Sequence, residues 1–174
     1  PAVDLTQYAV AEAAYPVLPQ EPRYEDYING SGEGDWDAYF AAQETCLEEL
    51  QKLGKGERPD DGAVRRFASR TAERIFTGGE NTVYSPVSLY AALGMLTELT
   101  DGQTRQQVME LLDANDGEGL RQQIRKLWMS VYQDGDAVCR LANAAFLREN
   151  ADVKQTAVDT LAQWYYASSY RLPM

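Results

Sequence analysis

Residues 81–112 run NTVYSPVSLYAALGMLTELTDGQTRQQVMELL. Asn81-Thr82-Val83-Tyr84 is a short extended piece. Ser85-Pro86 follows, a Ser at the N-cap with Pro at the first helical position, where its missing N–H costs nothing. Ser88 sits three residues after the cap, so its hydroxyl stays local to the helix start. The helix that begins here is apolar almost all round, through Val87, Leu89, Tyr90, Ala91, Ala92, Leu93, Met95 and Leu96. A helix without a polar face belongs in the middle of a domain. Asp101-Gly102 then turns, and Thr104 with Gln107 three residues on forms a capping-box pattern for a further short helix.

Upstream, Val64, Phe67, Ala68, Thr71, Ala72 and Ile75 make a helical stripe. Downstream, Leu120, Ile124, Leu127, Trp128 and Val131 repeat at helical spacing, with Asn115 or Asp116 as cap. Val138 to Leu147 reads as one strand. Asp152 caps another helix, with Val158, Leu161, Ala162 and Tyr165 on one face. Tyr165 to Leu172 reads as the approach to a second strand and the strand itself.

The order Asn, two residues, Tyr-Ser-Pro-x-Ser, an apolar helix and a Gly-x-Thr turn resembles the serpin family, whose members are mostly serine protease inhibitors. Leu141-Ala142-Asn143-Ala-Ala-Phe-Leu and Tyr165 to Leu172 resemble two strands of that family's large central sheet. The 120–131 stripe is similar to its helix D and the 64–75 stripe to its helix A. The resemblance runs from Asp61 to Met174, with one departure at Leu99, where the family usually turns with a Gly. It implies an α+β fold: the N-terminal, mostly helical half of a serpin-like domain with two or three strands of the central sheet. Two regions are expected, an acidic leader over 1–60 with one amphipathic helix at about 35–53, and the half-domain over 61–174.

The family mechanism is suicide trapping. A protease cleaves an exposed loop, the loop inserts into the sheet as a new strand, and the acyl-enzyme is dragged and distorted. The resemblance puts the reactive loop beyond Met174. The polypeptide is therefore expected to be a fragment, a cleaved part or a shortened form, and not to inhibit by itself; Pro1 is an unusual start. The implied partners are a serine protease, met through the missing half, and the C-terminal remainder of the same protein. Val87, Leu89, Leu93 and Leu96 are each worth ~1.5–3 kcal/mol when buried, so roughly 6–12 kcal/mol rests on contacts that partly lie in that remainder. The alternative function is a non-inhibitory serpin-fold binding or scaffold protein, with the leader as docking arm.

The resemblance also places Ser85, Ser88 and Asn143 in the shutter, beneath the strands that part to admit the loop. Polar groups at a place that must open can exchange partners, where an interlocked apolar seam resists. Unpaired and buried, each costs ~1–3 kcal/mol. By itself, Ser85 reads simply as a helix cap. Arg121, Arg125 and Lys126 lie along the helix-D-like segment, and Arg121 and Arg125 share a face. They read as a solvated face, while the family resemblance adds a possible polyanion contact there.

Composition sets further bounds. The net charge of −11 sits mainly in the first 60 residues, which hold thirteen acidic and four basic side chains against fourteen and twelve in the rest. Such an excess argues against unspecific nucleic-acid binding. No apolar run is long enough to span a membrane. The chain has no histidine, which removes His-based general bases, Ser-His-Asp triads and the commonest metal ligand. No phosphate-binding glycine motif occurs. An enzyme, a cofactor and a metal are therefore not expected. The acidic side chains read as solvated, none of them paired and buried on an apolar helix. The run from Asn29 to Asp37 has the look of a calcium loop, but Phe40 stands where a bidentate Glu is needed. Asn29-Gly30-Ser31 fits the glycosylation sequon. Cys139 alternates within an apolar strand and reads as buried, Cys46 lies in the leader helix, and a disulfide between them is disfavoured.

In the leader, Tyr8, Tyr15, Tyr24 and Tyr27 are scattered among Pro16, Pro19 and Pro22, an extended or partly disordered pattern. From Asp35 a helix begins, with Trp36, Phe40, Leu47, Leu50 and Leu53 near its packed face and Glu44, Glu48, Glu49 and Lys52 opposite. The leader is similar to those of bacterial serpins, which implies a secreted or cell-surface protein.

Overall fold

The computed structural model describes residues 4–59, 61–79, 81–134, 138–139 and 141–173. Pro1 and Met174, named above, lie outside the described residues. Six helices are present among them: α1 (Trp36–Lys52), α2 (Asp61–Ile75), α3 (Pro86–Leu99), α4 (Gly102–Leu111), α5 (Gly117–Val131) and α6 (Gln155–Trp164). The strands are β1 (Ala9–Ala11), β2 (Gln133–Asp134), β3 (Val138–Cys139), β4 (Asn143–Arg148) and β5 (Ala167–Leu172). The fold is α+β.

Helix α3 is the hub. Ser85 takes the N-cap position with extended backbone, and Pro86 opens the helix. Tyr90, Ala91, Gly94, Met95 and Thr97 are buried against α2, α5 and α6. Gly94 makes this approach possible: a Cβ there would collide with Ile124 Cδ1 and lie 3.1 Å from Tyr165 Cε1. Phe67 of α2 meets Tyr90 edge to face at 5.4 Å, a geometry favoured by the ring quadrupoles. The helix is not covered all round, however. Ala92 and Leu96 face solvent, and the hydroxyl of Tyr90 finds the Leu112 carbonyl at 3.0 Å.

The helix ends differ from the expected caps at two places. α4 starts at Gly102 with Asp101 in the N-cap position and no side-chain cap bond. Thr104 therefore lies inside the first turn, and the Thr104–Gln107 capping box is not the start signal. α6 starts after Lys154 rather than at Asp152, because the chain makes a turn through Ala151–Val153 first. At α5 the expectation holds: Asp116 accepts from the Gly119 amide at 2.7 Å.

The main sheet has the order β1-β5-β4. β4 and β5 run parallel in register from Asn143↔Ala167 to Arg148↔Leu172, joined by α6. Residues alternate across the sheet, so Ala145 and Leu147 of β4 are buried and Phe146 is exposed, where it stacks on its register partner Tyr170 at 5.5 Å. The turn from α6 into β5 passes through Tyr166 in the left-handed region, φ 48°, costly for a bulky residue. Its ring is pinned against Trp128 at 4.3 Å.

The segment read as one strand, Val138–Leu147, is two. Val138–Cys139 pairs with Gln133–Asp134 in a separate two-stranded ribbon, and only Asn143–Arg148 joins the main sheet. Cys139 is accordingly exposed, not buried, and both cysteines are free.

The leader is docked along much of its length rather than loose. β1 pairs antiparallel with the outer edge of β5. The Ala13 amide donates to Ser168 Oγ at 3.2 Å and the Ala14 amide to the Ala162 carbonyl at 3.0 Å. Tyr15 stacks on Trp128 at 5.7 Å. The helical face of α1 also differs from expectation. Cys46 is buried and Leu50 and Leu53 half-buried, but Trp36, Phe40 and Leu47 point outward. The helix is rotated so that its C-terminal half packs inward through a face offset from the one the apolar spacing suggested.

Ser169 is fully buried on β5 and its hydroxyl has no hydrogen-bond partner among the described residues. An orphaned buried hydroxyl costs about 1–3 kcal/mol. Ser169→Ala is therefore expected to raise the unfolding midpoint in denaturant, and a fall in the midpoint would show that the hydroxyl is satisfied.

Candidate functional site

The two expected serines and the expected asparagine belong to separate hydrogen-bond groups. Ser85 Oγ accepts from the Ser88 amide at 3.3 Å, and the two hydroxyls lie 2.9 Å apart. Ser85 is exposed and Ser88 half-buried, so the cap is a wet one. Asn143 opens β4, and its Nδ2 donates to the Tyr165 carbonyl at 2.8 Å. This bond joins the first residue of β4 to the end of α6, just before Tyr166 turns the chain into β5. Nothing among the described residues hydrogen-bonds Asn143 to either serine.

Tyr165 leads from Asn143 to a polar centre that the spacing of charges did not reveal. Its hydroxyl donates to Glu98 Oε1 at 2.9 Å. Arg121 grips the same carboxylate with both arms, Nε to Oε1 at 2.9 Å and Nη2 to Oε2 at 2.7 Å. The Glu98 side chain is 5% exposed and that of Arg121 30%. The expectation that no carboxylate is paired and buried on an apolar helix is thus overturned at Glu98. The apolar helix extends to Leu99 and so includes it. A signal was present: Glu98 is the single charged residue between Pro86 and Leu99, and a lone acid inside an apolar helix needs a partner.

This site is structural in its chemistry. Burial first, then the charge of Glu98 and the bond to it, raise the Tyr165 hydroxyl far above its ordinary value. The bond to Glu98 is foremost in raising Arg121. Both groups therefore keep their protons over the physiological range, and the triad fixes three helices instead of exchanging protons. Glu98 lies at the opposite end of α3 from Ser85, about 20 Å along the axis at 1.5 Å per residue.

Each of the three basic residues along α5 has an intramolecular partner. Arg121 is committed to Glu98. Arg125 lies over the Trp164 ring at 6.0 Å, a cation–π geometry, and its charge opposes the upward push of burial on Tyr166. Lys126 pairs with Glu57 at 2.9 Å. Arg125 and Lys126 line an open cleft with Lys52, Leu53, Glu57 and Trp164. Arg121 does not line it. Nearby, Lys55 Nζ donates to the Met129 carbonyl at 2.9 Å and to that of Tyr132, satisfying the C-terminal end of α5.

No group of three or more His, Cys, Asp or Glu side chains is gathered as for a metal among the described residues. Asn29 Oδ1 instead accepts from the Ser31 amide, the Ser31 hydroxyl and the Glu33 amide at 2.7–3.0 Å. No helix among the described residues is long and apolar enough to cross a membrane.

A family model described as Serpin (serine protease inhibitor) matches residues 63–173, from α2 to beyond the end of β5. Serpin-Z1A of Triticum aestivum is 34% identical over 90 residues, covering 47% of this chain and 23% of that protein. Serpin-Z2B of Oryza sativa subsp. japonica is 36% identical over 69 residues, covering 37% of this chain and 17% of that protein. The chain thus matches less than a quarter of the length of either relative.

Two tests follow from this geometry. Asn143→Ala leaves the Tyr165 carbonyl without its side-chain donor and is expected to cost about 1–3 kcal/mol, read as a lower denaturant midpoint; an unchanged midpoint would mean the bond contributes nothing. For Tyr165 the raised pKa means the unfolded chain gives up the proton first. Its contribution is intact below the ordinary tyrosine value of 10.0 and is lost as pH climbs from there toward the folded value. The gap in thermal midpoint between the wild type and Tyr165→Phe should therefore narrow above about pH 10. Parallel curves through that range would refute the assignment.

Proposed function

The chain belongs to the serpin family, and from that membership we propose that it is part of a serine protease inhibitor acting by suicide trapping. The observation that carries the reading is the family match over 63–173, the stretch that holds α2 to α6 and the parallel pair β4 and β5. In this reading residues 1–60 are a leader and 61–174 the N-terminal half of the inhibitory domain. In this reading the chain supplies frame rather than reactive bond, and the whole protein inhibits rather than catalyses.

Its partners are then a serine protease and the C-terminal remainder of the same protein. Two features support the second. The edge of β4 away from β5 carries no strand among the described residues. The strip Leu89, Ala92 and Leu96, at helical spacing on α3, is half-buried at its first position and exposed at the other two.

Ser85, Ser88 and Asn143 are assigned to the shutter. The support is chemical. The serine pair is wet and can exchange its bonds for water, and Asn143 holds the joint between β4 and β5 through one side-chain bond. Of the basic residues, Arg125 and Lys126 with their open cleft are the better candidates for a polyanion contact; Arg121 is held by Glu98. A secreted or cell-surface setting is the localisation this reading carries. The alternative, a non-inhibitory serpin-fold scaffold, is favoured by the outward apolar face of α1.

The test is incubation with trypsin-, elastase- and subtilisin-like proteases, followed by denaturing electrophoresis. Residues 1–174 alone are expected to form no stable covalent complex, and the full-length product to form one. A complex with residues 1–174 would overturn the division of labour. Its absence from the full-length product with all three proteases would favour the scaffold.

A further inference from the structure

We propose that the outward face of α1, together with the loop that precedes it, docks a basic segment of another protein, one that presents Lys or Arg side chains among apolar ones. The face is apolar and open: Trp36 is 52% exposed, Phe40 57% and Leu47 59%. These are large values for side chains on a helix whose other face is packed. The rings are organised against one another. Trp36 stacks on Tyr24 with centroids 4.2 Å apart and planes at 16°, and on Phe40 at 6.0 Å and 25°. Tyr39 meets both Tyr24 and Tyr27 at 5.6 Å.

The Tyr24 ring lies over Gly34, where any Cβ would strike its hydroxyl end. Gly34 in turn bridges to Ile28 across the loop. Asp35 caps α1 through the Ala38 amide at 3.0 Å. The surface is thus built before any partner arrives, which lowers the ordering cost of binding.

Charge selects the occupant. From Tyr24 to Gln51 the chain carries eight carboxylates and no lysine or arginine. Glu44 and Glu48 follow Phe40 by one and two helical turns and flank Leu47, and Asp37 adjoins Trp36; all three are exposed. Among the described residues no ion pair engages Glu25, Asp26, Glu33, Asp37, Glu44 or Glu48. The negative faces of the rings and the carboxylate rim act in the same sense on an approaching cation. An aromatic centre with a charged rim is also the anatomy of a protein interface. The same charge repels nucleic acid, sulfated polysaccharide and an anionic lipid surface. It equally repels a second copy of this face.

The test uses the full chain and a fluorescein-labelled amphipathic peptide of Lys and Leu at helical spacing, read by fluorescence anisotropy. Saturable binding is expected, weakening as salt is raised. Phe40→Ala should weaken it by about tenfold or more. The double reversal Glu44→Lys with Glu48→Lys should do the same. Both changes are on exposed side chains, and unchanged circular dichroism confirms that the fold survives. Equal binding of a Glu/Leu peptide, or indifference to both variants, would overturn the proposal. So would preferential binding to phosphatidylglycerol vesicles, or a dimer in ultracentrifugation that Phe40→Ala dissolves.

Discussion

The Glu98 carboxylate is the point on which the helical half of this molecule depends. It projects from α3, takes two hydrogen bonds from Arg121 of α5 and a third from Tyr165 at the end of α6. Three helices are thereby fixed in register by one side chain. A carboxylate 5% exposed is costly unless its lone pairs are filled, and here three donors fill them. Removing one partner of such a pair typically costs about 3–5 kcal/mol, because the other charge stays buried. The close approach that brings the three helices together is set by Gly94, one turn earlier on α3.

From Tyr165 the constraint passes along the backbone to the sheet. Its ring serves the helices, while its carbonyl holds Asn143 at the head of β4. The next residue, Tyr166, takes the left-handed conformation that turns the chain into β5. Two adjacent tyrosines thus couple helix packing to strand pairing. The ring of Tyr166 closes a second apolar centre with Trp128 and Met129. The leader completes that centre, laying Leu18 and Tyr15 against it. Along the sheet β1 covers the edge that β5 would otherwise leave open, and an open edge invites unwanted pairing. The leader is therefore part of the packing rather than an appendage, though its acidic α1 keeps one face to solvent.

Where local chemistry decides, the fold was legible. Ser85-Pro86 stops extended backbone and starts a helix by the same rule in any context. The stripes of α2, α5 and α6 follow from period alone. The cap of α5 is narrowed by the sequence to Asn115 or Asp116, and the bond to the Gly119 amide selects Asp116. The expected Asp152 cap and the Thr104–Gln107 box were wrong for a common reason. A cap motif says only that a helix can begin there, and the preceding turn at Ala151–Val153, or a start already made at Gly102, settles the matter. Cys139 looked buried because apolar alternation cannot distinguish a sheet strand from a short exposed ribbon. The packed face of α1 is not legible in apolar spacing, because Trp36 and Phe40 stack on each other outside the core.

The sequence by itself determined the family, the α+β class, the positions of the main helices and the concentration of negative charge in the first sixty residues. The helices and the charge are properties of period, composition and short-range backbone preference, all carried within a few residues of the chain; the family and the α+β class come from the resemblance of its motifs. Only the tertiary structure decided which polar groups meet. Glu98, Arg121 and Tyr165 are separated by 23 and 44 positions along the chain, and no local rule joins them. Arg121 and Arg125 share a face on a helical wheel, yet one is locked on a buried carboxylate and the other lines an open cleft. The difference is desolvation, which depends on what packs above a side chain and so exists only once the chain has folded.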